Sequence, residues 1–178
     1  MATKITINPL SLNDVKKAIN ELTNYEENLN SKIDNFVKRL AEIGVELAKD
    51  QVSIYQAIDS GNLLNSIDLK KGDVIKDGAC YYIYTDCDYA SFVEFGTGVI
   101  GEGTYHREFP NDVDWNYASG KYVFTTKDGV TGWYFPLGDG TYRFTEGFPS
   151  RPFMTETAIM LSMQVVEVAK EVFGGAST

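Results

Sequence analysis

Histidine occurs once in this sequence, cysteine twice and proline five times, and 16 basic residues stand against 25 acids. Each shortage excludes something. With His106 as the only imidazole, one subunit cannot supply the two or three histidines of a common zinc centre, nor pair a nucleophile with any other histidine base. No G-x-S-x-G elbow accompanies it. Cys80 and Cys87 are too few for a disulfide scaffold and are not spaced as C-x-x-C, so both are expected to be reduced. A net charge of −9 argues against a broad phosphate-tracking face and hence against tight nucleic-acid binding. The longest uncharged apolar runs, such as residues 158–163, fall far short of the roughly 20 residues that a membrane span needs. The opening stretch, Met1 to Asn8, carries no apolar secretory segment, so synthesis and residence in a cytoplasm are expected.

What is present is an ordinary globular composition, 43% apolar and 23% charged over 178 residues. One domain is expected over residues 1–178, with an aromatic- and glycine-rich β insertion at about 97–149. From Ser11 onward, Leu12, Val15, Ile19, Leu22, Leu29, Ile33, Phe36, Leu40, Ile43 and Leu47 alternate spacings of three and four, with one step missing at Glu26. The pattern predicts an amphipathic helix from about 12 to about 56, continuous or broken near Asn24-Tyr25. Ser11 and Asp14 approximate a capping box, and Gly44 is the sole strong helix-weakening residue before Gly61. At about 1.5 Å per residue, an unbroken helix would reach roughly 65 Å, longer than a domain of this size. Part of its stripe must meet another helix or a neighbouring subunit.

After Gly61 the runs are short and β-like: Leu63–Lys70, Val74-Ile75 and Ala79–Thr85, separated by Gly72-Asp73 and Asp77-Gly78. Tyr89–Phe95 reads as a helical turn ending at Gly96. In the insertion, Lys121–Thr126 and Thr131–Leu137 flank an Asp128-Gly129 turn, with Thr141–Thr145 a third strand, while Tyr105–Asn116 reads as a loop. Pro152 sits where a helix would begin, and Phe153–Phe173 carries Leu161, Val165, Val168 and Val172 on one stripe. The fold class is therefore α+β: a long N-terminal helix, an antiparallel sheet with an inserted β-hairpin region, and a C-terminal helix packed on the sheet.

Candidate chemistry is sparse. Gly96-Thr97-Gly98-Val99-Ile100-Gly101 matches G-x-G-x-x-G, but residues 102–110 do not form the helix that a dinucleotide site requires, and the stretch reads as a flexible loop. No cofactor is expected. Cys80, Cys87 and His106 are spaced like no common metal module, and Cys80 reads as a small buried strand residue. Asp86, Asp88 and Glu94 are close enough in sequence to resemble a glycosidase pair, against the plainer reading of solvated turn acids. Trp115, Trp133 and Tyr134 suit a glycan-binding surface or simple packing, with Trp133 and Phe135 on one face of a strand and Tyr134 on the other.

Three ordered segments carry a resemblance. Residues 60–67, SGNLLNSI, with Leu63 and Ile67, follow the long helix. Tyr89-Ala-Ser-Phe-Val93-Glu94-Phe95-Gly96-Thr97 comes next, and residues 147–154, GFPSRPFM, with Pro152 and Phe153, open the last helix. Together they resemble the phage tail-component family of neck, head–tail joining and tail-completion proteins. The resemblance implies a structural virion protein without catalysis, assembling as a homo-oligomeric ring, commonly sixfold, on the tail tube of a phage or bacteriocin-like particle. Its neighbours would be the tail tube or tail terminator and head-completion or connector proteins. DNA would pass without specific binding, and no membrane would be involved. Leu63, Ile67, Tyr89, Val93, Glu94, Phe95, Gly96, Trp133, Tyr134, Pro152 and Phe153 are the expected structural or interface positions. A tail-associated glycan-binding module or cell-wall hydrolase is the alternative.

Overall fold

The computed structural model describes residues 7–57, 61–73, 78–105, 115, 124–137 and 139–174. Helix α1 runs unbroken from Leu12 to Ile54, 43 residues, straight through Asn24-Tyr25. Ser11 adopts the extended conformation of an N-cap, and its side chain accepts from the Asp14 amide at 3.3 Å. At the far end, the C-terminal helix α5 (Phe153–Phe173) lies along α1. The rings of Phe36 and Phe173 are 5.6 Å apart, and Gln51 reaches the sulfur of Met160, so the two helices run antiparallel.

The sequence places α5 on the sheet, whereas the structure lays it on α1. The reason lies in the α1 stripe, which Ile33, Phe36, Leu40, Ile43 and Leu47 continue into this half of the helix, where all five are at least half-buried. A second helix covers such a stripe along its length, and a four-residue strand does not. Gly44 marks the closest approach. A Cβ there would collide with Ile83 and stand 3.2 Å from Leu161, so a strand and α5 both meet the helix at its one glycine. Val165 consequently sits away from the contact and is exposed, while Phe153, Thr157 and Val168 are buried.

Strands β1 (Asp68–Lys71) and β2 (Tyr81–Tyr84) pair antiparallel with Leu69 opposite Ile83, and they pack on α1. Lys71 and the Tyr81 hydroxyl both reach Asp34 of α1, tying the hairpin to the helix; the Lys71 hydrogen bond holds the Asp34 carboxyl below its ordinary range. The run expected to begin as a strand at Leu63 instead starts as a helical turn, α2 (Asn62–Ser66). Leu63 and Ile67, four residues apart, both point into the core, and that spacing is helical. The expected Val74-Ile75 run lies outside the described residues. Cys80 falls just before β2 and is half-buried, and both cysteines are free.

Helix α3 (Ala90–Phe95) ends at Gly96, as expected, and a single turn, α4 (Gly98–Gly101), follows where a flexible loop was expected. Gly98 and Gly101 are buried, and a Cβ on Gly101 would stand 2.9 Å from the Phe148 carbonyl. These glycines permit close backbone packing and leave no long helix to cradle a phosphate. In the insertion, β3 (Phe124–Thr125), β4 (Thr131–Pro136) and β5 (Tyr142–Thr145) form an antiparallel sheet. The Asp128-Gly129 turn is present, with Gly129 at φ +82. Most of 105–116 lies outside the described residues. A two-residue strand, β6 (Gly147–Phe148), bridges back to Thr97 and Gly98.

The core gathers around the last turns of α1: Ala48, Val52, Ala57, Leu63, Ile67, Ala90, Val93 and Phe153. By contrast, α1 from Leu12 to about Lys32 projects beyond α5. Leu12, Ile19, Leu22, Tyr25 and Leu29 are exposed there, while Val15 is half-buried and Ala18 buried.

Candidate functional site

The three sequence segments singled out above meet at one place, the junction of α3 with the start of α5. Pro152 precedes α5 and offers no side-chain cap. Yet the first amides of a helix lack intrahelical partners and favour an anion. Glu94, on α3, supplies it. Its Oε2 accepts from the Met154 amide at 2.9 Å, and Oε1 accepts from the Thr155 amide at 3.0 Å and the Thr155 hydroxyl at 2.5 Å. Two bonds to backbone carbonyls complete the joint: Ser150 donates its hydroxyl to the Glu94 carbonyl at 2.5 Å, and the Arg151 amide donates to the Val93 carbonyl at 2.8 Å.

Glu94 is 7% exposed. Burial pushes its carboxyl above the ordinary carboxylate range, and the three hydrogen bonds pull it part of the way back. Both oxygens are thus committed within the protein. A general acid or nucleophile needs a free face toward substrate, which this geometry does not give. Asp86 and Asp88, the other acids considered, are exposed. Among the described residues no cluster of His, Cys, Asp and Glu is placed to hold a metal, and His106 lies outside them.

Gly96 makes the joint possible. Its φ is +74, and a Cβ would stand 2.6 Å from the Ser150 nitrogen. Its carbonyl accepts from the Trp115 indole at 2.9 Å, and that ring packs on Phe92 and Phe95 at 5.6 and 5.1 Å. Trp115, considered above as an exposed glycan platform, is half-buried and anchors the insertion instead. Phe95 also meets Tyr105, whose hydroxyl lies 3.0 Å from that of Thr155. On the other side, the Leu63 amide donates to the Tyr89 hydroxyl at 3.2 Å. Leu63, Ile67, Val93 and Phe153 are all buried in the subunit's own core.

The contributions of Thr155 and Ser150 escape sequence reading. The available signal is a short hydroxyl-rich stretch around a proline at a helix start, which by itself names no acceptor 60 residues away.

Beside the joint lies a cavity of about 700 Å³, walled by Ala57, Tyr89, Phe92, Val93, Trp133 and Phe148, with Asp88 and Arg151 also lining it. Trp133 and Phe135 turn toward it, half-buried, as strand alternation requires. Tyr134 faces out, 55% exposed, stacked on Phe124 and edge-on to Phe144. Thr97 also lines the cavity; its hydroxyl is buried and has no hydrogen-bond partner among the described residues.

No curated protein and no solved structure matches the chain. Residues 16–96 match a family model described as "Bacteriophage HK97-gp10, putative tail-component". That span takes in α1 from Lys16 onward, α2, the β1–β2 hairpin and α3 with its closing Gly96; the α5 half of the joint lies beyond it. Over residues 16–96, somewhat under half of its length, the chain is similar to the HK97-gp10-like family of putative phage tail components.

Proposed function

We propose that this tail component is a non-catalytic subunit of the head–tail junction, a neck or tail-completion protein that assembles into a ring, commonly sixfold, on the tail tube. The observation that carries the reading is apolar surface left uncovered along α5. Met160, Met163, Val165 and Val166 are exposed there, Met163 to 71%. Surface of this kind is characteristic of faces that meet a partner. Residues Tyr134 and Phe124 add an outward aromatic face on the insertion. The neighbours are tail-tube or terminator subunits on one side and head-completion or connector proteins on the other, and the protein resides in the assembled particle. Glu94, the acid a hydrolase would use, serves as a helix cap, which supports a structural role over an enzymatic one.

The charge of −9 fits a conduit for DNA, since carboxylates facing a lumen repel phosphate and prevent retention. Particle assembly without this chain tests the reading. Filled heads and separate tails that fail to join are the expected result, and normally joined infectious particles would refute it. A lumen lined mainly by Lys and Arg would refute the conduit argument alone.

A further inference from the structure

The half of α1 that projects beyond α5 is not a random apolar surface, although Val15 is half-buried and Ala18 buried on it. Leu12, Val15, Ile19, Leu22, Glu26 and Leu29 continue, without a change of phase, the spacing of three and four that α5 covers further along. A strict repeat of seven with apolar first and fourth positions is the seam of a left-handed coiled coil. Taking Leu12 as a first position, Ile19 and Glu26 share its place, and Val15, Leu22 and Leu29 hold the fourth. The positions flanking the seam are Lys16, Ala18, Thr23, Tyr25, Asn30 and Lys32, so Glu26 is the only acid on this surface. The arm is already helical because it extends a helix packed at its other end, so a partner need not nucleate it.

We propose that this arm pairs with the same arm of a second copy, antiparallel, with Leu12 opposite Leu29 of the second copy, Val15 opposite Glu26, and Ile19 opposite Leu22. The charge pattern selects this occupant and this direction. In the antiparallel pair, first-position residues share a side of the seam with the partner's fifth positions. Glu26 therefore stands one residue from Lys16 of the second copy, and by symmetry this happens twice. In a parallel pair of the same arms, two Glu26 side chains would face each other in a desolvated seam, which disfavours that form. Four of the six layers are purely apolar, and the two that contain Glu26 each gain a lysine. The contact is isologous and joins copies two by two. It is distinct from the head-to-tail contacts that close a ring and does not depend on the ring reading.

Sedimentation equilibrium of the purified full chain, from about 1 to 100 μM, reads the association. A monomer–dimer equilibrium is expected; a strict monomer over that range would overturn the proposal. The single changes Lys16→Glu and Glu26→Lys each put like charges together twice and should weaken the dimer about tenfold, while the double swap should restore it. Both residues are exposed, and circular dichroism checks that the fold is unchanged. Dimerisation indifferent to both single changes would refute the charge pairing. Direction is read by crosslinking: a mixture of Ile19→Cys and Leu22→Cys chains should form the mixed disulfide under mild oxidation, against the background of the unsubstituted chain with its Cys80 and Cys87 thiols. Preferential Ile19→Cys self-linkage would instead demonstrate parallel arms and overturn the arrangement.

Discussion

Replacing Glu94 by Gln changes almost no volume and isolates the capping carboxylate. One oxygen survives and can keep the two Thr155 donors, but the amide NH2 then points at the Met154 amide, which now bonds to Oε2 at 2.9 Å. Two donors face each other in a buried site, and an unsatisfied buried donor costs about 1–3 kcal/mol. Losing the negative charge at the α5 N-terminus adds about 0.3–1 kcal/mol. Relief from burying that charge works in the opposite direction. The expected net loss is about 2 kcal/mol near neutral pH, which for a chain of this size lowers the melting temperature by about 4–8 °C.

Urea unfolding at constant slope measures it. The pH dependence sharpens the test. Because burial raises the folded-state pKa, the folded protein binds the Glu94 proton more tightly than the unfolded chain does. The group's contribution is therefore fully present below the ordinary carboxylate range and is lost as pH rises through the raised value. Gln does not titrate, so the gap between the two proteins should widen on acidification through that window. A Gln variant as stable as the parent would refute the capping argument; a gap that narrows in acid would refute the dominance of burial over the cap's hydrogen bonds in setting the Glu94 pKa. Conversely, the hydrolase alternative predicts activity on cell-wall glycan that Glu94→Gln abolishes while stability is unchanged.

Gly44→Ala tests the crossing of three elements: helix propensity favours Ala by about 1 kcal/mol, but the collision with Ile83 should overcome this and leave a net loss in urea unfolding. Gly96→Ala combines strain at positive φ with a blocked approach to Ser150 and should cost about 3 kcal/mol or more, read as a fall in the yield of soluble folded protein. Thr97→Val removes an unpartnered buried hydroxyl with little change of shape and should be neutral or stabilise by up to about 1 kcal/mol in thermal unfolding; a clear loss would show that the hydroxyl has a role. Trp133→Ala, which opens the cavity wall, should lower the melting temperature, whereas the glycan-binding alternative predicts lost retention on a glycan matrix with the melting temperature unchanged.

Local signals carried much of this fold into the sequence. Ser11 with Asp14, the alternation from Leu12 to Leu47, the Asp128-Gly129 turn and the Pro152-Phe153 start each act within a few residues, and the corresponding elements stand close to where those signals place them. What α5 rests on was not legible, because its stripe says only that something apolar covers it. Leu63 and Ile67 misled for a related reason: a four-residue spacing inside a β-rich run shows itself as helical only once the core it enters is known. Glu94 was visible within its motif, but its donors lie 60 and 61 residues later, and nothing local couples them.

The packing of α5 on α1 also fixes an order of events during synthesis. Gln51 and the Met160 it touches are separated by 109 residues. At about 5–20 residues per second, the apolar stripe around Phe36 to Leu47 waits some 5–20 s after emerging before its covering helix is made. For that interval the nascent chain presents a long, finished amphipathic helix with no mate. The 21-residue helix α5 is therefore the one that closes the much earlier α1, and a truncation before Phe153 would strand the stripe permanently.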